Sequence, residues 1–236
     1  MFESRSVTKG AEWEGKPTKF VHLRDVAHIQ LGKMLSPAAK TGRESFPYLR
    51  NQNVQWGRFD LSDLAVMDFS ERDREKFELR PGDLLICEGG EPGRCAVWDG
   101  QVEDCFYQKA LHRVRPIAGV ADSEFLALWI RFQALTGAFE DQNAKTTIAH
   151  LPLVRLEQLL VPDVDVGKQR QIAARLKAQL AEVDKARQAT ETQLRDLNAL
   201  AESIVLDSLR RSTTETRPLG EVLDEVKTGI GESWAD

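Results

Sequence analysis

The sequence has no stretch approaching the ~18 consecutive apolar residues of a membrane-spanning helix. Its opening, MFESRSVTKGAEWEGKPTK, is polar and has no apolar core, which argues against a secretory signal. Cysteine is scarce: Cys87, Cys95 and Cys105 are odd in number and form no C-x-x-C pair. That argues against a disulfide framework or a thiolate zinc site and predicts buried thiols in a reducing, cytoplasmic setting. Basic charge is not in surplus either. With 32 Lys and Arg against 37 Asp and Glu, the formal net charge is −5. Nucleic-acid binders often show a basic patch, so this balance counts against such a role. It counts weakly, because phosphate contacts depend on one face of a protein and not on its total charge.

Catalytic signatures are missing too. There is no G-x-x-x-x-G-K-[ST] phosphate loop, no G-x-S-x-G nucleophile turn and no H-E-x-x-H zinc helix. The [DN]-P-P-[FYW] motif and glycine-rich cofactor loop of adenine methyltransferases are not found. His22, His28, His112 and His150 stand at no metal-ligand spacing and read as strand or surface histidines. The expectation is a chain without catalytic residues, metal or cofactor.

What is present reads as a series of short elements. Residues 82–100, GDLLICEGGEPGRCAVWDG, place an apolar run on each side of a knot of glycines. Arg94 and Cys95 follow the glycines and lead to Val97 and Trp98, not to an opening helix. A phosphate cradle is therefore rejected in favour of strand, Gly/Pro turn, strand. Gly89, Gly90 and Gly93 are expected to supply positive φ or close approach. Apolar runs at 46–50 and 110–115 predict further strands, the second alternating as a half-buried strand does. Residues 70–77 read as a short charged helix capped by Ser70, and 122–132 as a helix capped by Asp122 or Ser123. The fold class is α+β: a polar tail over 1–16, then a mixed globular domain over 17–162.

From Lys168 to about Arg211 there is no Gly or Pro, and Ala, Leu, Gln, Glu, Lys and Arg dominate. This is the composition of one long helix of roughly 60 Å. Leu176, Leu180, Val183, Leu194, Leu197 and Ile204 fall on steps of four and three, a coiled-coil seam interrupted at Arg187 and Thr190. An apolar stripe of this kind needs a partner helix. Beyond it, LGEVLDEVKTG repeats the earlier LRDVAHIQLG with one inserted residue, so 212–236 reads as the start of a second repeat that stops early.

Several of these features occur in a recognisable order. Leu23-Arg24-Asp25-Val26 comes first, then Pro47-Tyr48-Leu49-Arg50, the glycine hairpin, and the run from Tyr107-Gln108-Lys109 to Pro116. Leu151-Pro152-Leu153, the helix entry Gln169-Arg170-Gln171-Ile172 and the long helix complete the series. Over roughly residues 17–229 it resembles the specificity subunit of type I restriction–modification systems. The resemblance implies a target-recognition domain over 17–162, a spacer and dimerisation helix over 163–211, and a truncated repeat after it. Members usually carry two recognition domains, each followed by a long helix, and this chain matches one half. The implied partners are double-stranded DNA, a methyltransferase (modification) subunit and a restriction subunit. The implied task is to direct adenine methylation and restriction to a bipartite target. A half-length chain is then expected to self-associate through its seam, antiparallel about a two-fold axis.

Candidate DNA-binding residues are the polar and basic ones in loops. They are Lys40 and Arg43; the amide-rich group Arg50, Asn51, Gln52, Asn53, Gln55 and Arg58; Arg94; Tyr107 and Lys109; and Lys145, Thr146 and Thr147. Asn and Gln pair with adenine and Arg with guanine, whereas Lys and hydroxyl groups suit phosphates. The competing reading is a coiled-coil scaffold that binds no DNA, which the acidic balance favours.

Overall fold

The computed structural model describes residues 19–39, 41–139, 150–212 and 219–220. It forms two compact units, one reaching Leu176 and the other starting at Lys177. The first opens with β1 (Phe20–His22), the single turn α1 (Leu23–Val26) and β2 (Ala27–Leu31). Next come β3 (Ser45–Leu49), the short strands β4 (Val54–Gln55) and β5 (Arg58–Phe59), β6 (Ala65–Asp68) and α2 (Glu71–Phe77). Four strands follow: β7 (Leu84–Cys87), β8 (Cys95–Val97), β9 (Phe106–Tyr107) and β10 (Leu111–Pro116). α3 (Ser123–Leu135), α4 (Leu153–Glu157), β11 (Leu160–Pro162) and α5 (Val166–Ser212) complete the order. The chain is α+β with a long C-terminal helix, as its patterning predicts.

A four-stranded antiparallel sheet in the order β2-β10-β7-β8 forms the centre of the first unit. Its strand β7 explains the unbroken run LLIC. Leu84 and Ile86 enter one core with Phe125, Leu126, Trp129 and Ile130 of α3. Leu85 and Cys87 enter a second core with Phe69, Trp98, Phe106 and Tyr107. A strand covered on both faces has no polar face to display. The sheet β6-β3-β9 encloses the second core, with β3 antiparallel to β6 and parallel to β9. β1 pairs with β11, which joins the start of the unit to its last strand.

The glycine knot is the turn between the antiparallel strands β7 and β8. Gly90 and Gly93 take φ of 75° and 89°, and a Cβ on Gly93 would lie 2.5 Å from the Phe139 ring. Gly89 is not left-handed; its carbonyl accepts a hydrogen bond from Asn51 Nδ2 at 2.9 Å. Both helix caps stand as read. Ser70 Oγ accepts from Asp73 N at 3.3 Å, and Asp122 Oδ1 accepts from Glu124 N and Phe125 N at 3.1 Å.

β10 departs from the half-buried strand that its alternation predicts. Leu111, His112, Arg113 and Val114 are all buried. The two polar residues find partners inside: His112 Nε2 donates to Leu151 O at 2.9 Å, and Arg113 Nη1 to Glu78 O at 2.8 Å. The three cysteines are free and buried, as expected. Burial pushes the Cys87 thiol up to about 11 and Cys105 to about 12, and Cys95 is raised as well. Thiols raised in this way are poor nucleophiles.

α5 begins under a cap from Asp165, whose Oδ1 accepts from Gly167 N at 2.8 Å. Gln169 is buried and ties the helix start to the rest of the first unit. Its Oε1 accepts from Asp122 N at 2.9 Å, and its Nε2 donates to Val120 O at 3.1 Å and Val164 O at 2.6 Å. From residue 174 to residue 211 every position is exposed, the seam leucines included. The expected second repeat lies outside the described residues except for Leu219 and Gly220.

Candidate nucleic-acid interface

Three loops of the first unit are tied together by hydrogen bonds. Gln108 N donates to Leu49 O at 3.1 Å, just before the amide-rich loop. Glu88 N, at the start of the glycine turn, donates to Ala110 O at 2.9 Å. Asn51 then ties the amide-rich loop to the glycine turn through Gly89. Segments that the sequence offers in three separate places are therefore brought together. His150 also lies there, with Nε2 at 3.1 Å from the buried Glu88 carboxylate.

Within the amide-rich loop the side chains divide into inward and outward sets. Asn53 is 2% exposed, and its amide is fully occupied by the chain itself. Its Oδ1 accepts from Arg50 N, and its Nδ2 donates to Asp60 O and Asp63 O, each at 2.9 Å. Asn53 is thus a loop-forming residue with nothing left to offer a base, which corrects its inclusion among the readers. Arg50 is half-buried and grips Asp63, its Nη2 reaching Oδ2 at 2.8 Å. Gln52 is exposed, with Nε2 3.2 Å from the same carboxylate. The short strands β4 and β5 pair with Gln55 opposite Arg58 across the turn Trp56-Gly57. Arg58 is exposed and Gln55 half-buried.

Arg94 also turns inward. Its side chain is only 17% exposed, and the guanidinium donates from Nη2 to Asn51 O at 3.0 Å and from Nη1 to Glu91 Oε2 at 3.2 Å. Tyr107 is 0% exposed, its hydroxyl 3.3 Å from Gln30 O, and burial pushes its pKa up. Neither side chain is presented to a ligand, a second correction to the expected set. Lys109 sits in the turn between β9 and β10 and not at a strand start; it is exposed.

Arg43 is carried on a loop built around one carboxylate. Asp68 is buried and accepts from Thr41 N, Thr41 Oγ1, Gly42 N and Ser45 Oγ at 2.5–2.9 Å. The Thr41 hydroxyl leads the interactions that hold this carboxyl well below the usual carboxylate range. The loop is ordered without using Arg43, which stays exposed. Lys40, Lys145, Thr146 and Thr147 lie outside the described residues.

Glu91, Trp56, Asp63 and Asp68 are the residues that the sequence did not mark. One signal was there: Trp56-Gly57 between Val54-Gln55 and Arg58-Phe59 has the length and the glycine of a two-residue hairpin turn. Among the described residues no group of three or more His, Cys, Asp or Glu has metal-site geometry. No helix among them is long and apolar enough to cross a membrane.

The fold, a mixed unit followed in sequence by a long helix, has known counterparts. Residues 15–193, more than half of the chain, match the family model described as the type I restriction modification DNA specificity domain. The chain belongs to that family. Two solved structures share its fold. A chain from a structure on complex assembly and conformational transition of the type I R-M system is 19% identical with a TM-score of 0.55, over 80% of this chain and 45% of its own. The HsdS subunit from Thermoanaerobacter tengcongensis is 18% identical with a TM-score of 0.51, over 75% of this chain and 41% of its own. The chain thus spans less than half the length of either. No curated protein matches it.

Proposed function

We propose that this chain is the DNA-recognition subunit of a type I restriction–modification complex. It steers adenine methylation and restriction to a bipartite target in the cytoplasm and carries no chemistry of its own. The observation behind this is membership in the DNA specificity family over residues 15–193. The outward side chains at the loop end, Gln52, Gln55, Arg58 and Lys109, support it, with Arg43 on its own ordered loop. Lys40, Lys145, Thr146 and Thr147 remain backbone-phosphate ligands in this reading, while Arg50, Asn51 and Arg94 shape the surface. The partners are duplex DNA, a modification subunit, a restriction subunit and a second copy of the chain. The copies pair antiparallel through Leu176, Leu180, Val183, Leu194, Leu197 and Ile204, which places one recognition domain at each end of the pair.

A gel shift across a salt series tests the central claim. Phosphate contacts make affinity fall steeply with salt. Lys109→Ala is expected to weaken binding to all sequences alike and to reduce the slope of log K against log salt by about one. An affinity for duplex DNA that is absent, or insensitive to salt, overturns the reading and leaves a coiled-coil scaffold.

A further inference from the structure

Gln55 and Arg58 face each other across the β4–β5 ladder, on either side of the turn Trp56-Gly57. Directly opposed residues of an antiparallel pair project to the same side, roughly 5 Å apart. A two-stranded ribbon fits the major groove, where Gln pairs with adenine and Arg with guanine. Successive bases along one strand are spaced about 3.4 Å apart, within reach of two long side chains on this footing. We infer that the β4–β5 hairpin is the base-reading element, with Arg58 taking a guanine and Gln55 an adenine at the neighbouring position. Glu91 and Arg94 are its positioning residues. This rests on DNA recognition as proposed above and specifies how it is done.

The two reading side chains are prepared differently. Arg58 is exposed and forms no ion pair or hydrogen bond through its side chain among the described residues. Gln55 Nε2 donates to Gln52 O at 2.8 Å, which orients the amide and leaves its second N–H and its oxygen for a base edge.

The hairpin is held at both ends by the glycine turn and the first residue of β8. At its tip, Trp56 Nε1 donates to Glu91 Oε1 at 2.6 Å, and Gly57 N to Cys95 O at 2.9 Å. At its root, Arg94 bonds Asn51 O while also pairing with Glu91. Glu91 therefore anchors the indole of the tip and the guanidinium of the root together. A ribbon ordered before DNA arrives loses less conformational freedom on binding. This gives Arg94 a different task from contacting phosphate.

The test is selection from a random duplex library by the full chain, followed by salt titration on the selected site. The wild type should select adjacent guanine and adenine. Arg58→Ala should lose the guanine preference, and Gln55→Ala the adenine preference, each by roughly ten- to a hundredfold. Glu91→Gln and Trp56→Phe, which keep size and ring, should lower both preferences together without altering the salt slope. The ribbon is overturned if Arg58→Ala weakens all sequences equally and flattens the salt slope, since Arg58 is then a phosphate ligand. It is also overturned if Glu91→Gln and Trp56→Phe both leave the preferences intact. A wild-type chain that binds duplexes without any preference, or not at all, removes DNA reading itself, which is a different failure.

Discussion

The two units treat their apolar side chains in opposite ways. In the unit that reaches Leu176, most of the described large aliphatic and aromatic residues sit in two cores on either side of one sheet. Over residues 177–211 the large aliphatic residues stand in solvent, with Val183 at 63% and Leu197 at 62% exposure. Leucine is plentiful in both, so leucine content alone does not separate them. Layering does: a sheet with a helix on one face and a second sheet on the other encloses its own core. A single helix offers a stripe and no second layer. The first unit therefore encloses its own core, while the described part of the second leaves its stripe uncovered, and the proposed pairing of two copies would cover it.

The sharpest way to break this contrast is to charge the stripe. Leu194→Glu with Leu197→Glu should abolish self-association in light scattering and leave the thermal melt of the globular unit where it was. An unchanged mass, or a wild type that is already monomeric at tens of micromolar, removes the self-pairing proposal.

A core substitution should do the reverse. Ile86→Ala opens a cavity in the central sheet and should cost about 2–5 kcal/mol in denaturant unfolding without altering the mass. A loss no larger than that of Leu197→Ala would mean that the two environments do not differ as described.

Next in size is the joint at the start of α5. Gln169→Ala strands the Val120 and Val164 carbonyls and the Asp122 N–H, and should cost about 1–3 kcal/mol. Substituting the exposed Gln171 instead should cost almost nothing, and equal losses would sink the assignment.

The smallest effect is acid sensitivity at the Arg43 loop. The folded protein holds the Asp68 carboxyl below its ordinary value, so its contribution is complete above the usual carboxylate pKa near 3.9 and is lost as pH falls from there through the folded value. The stability gap between wild type and Asp68→Asn should narrow as pH drops from about 5 toward 2. A gap that stays constant in equilibrium unfolding would refute it.

Local features of the fold were legible because local forces decide them. The β7–β8 turn is set by glycines that permit φ near 75° and 89°, and the starts of α2 and α3 by Ser70 and Asp122. α5 follows from a long stretch free of helix breakers. β10 was misread because alternation records only residue type. His112 and Arg113 are buried by carbonyls supplied from Leu151 and Glu78, each more than thirty residues away. The candidate surface was half legible for the same reason. An Asn, Arg or Tyr in a loop is equally suited to reach outward or to bond inward.

The sequence by itself determined the order of elements, their caps and turns, the period of the helix seam and the reservoir of amides and guanidinium groups near the glycine turn. These depend on neighbours within a few residues. Only the tertiary structure decided which of those groups remain free. Asn51 Nδ2 donates to Gly89 O, Glu91 holds Trp56 and Arg94, and Arg50, Asp60 and Asp63 saturate Asn53. Most buried polar atoms take a partner where the fold brings one, and that choice is made across the fold, not along the chain.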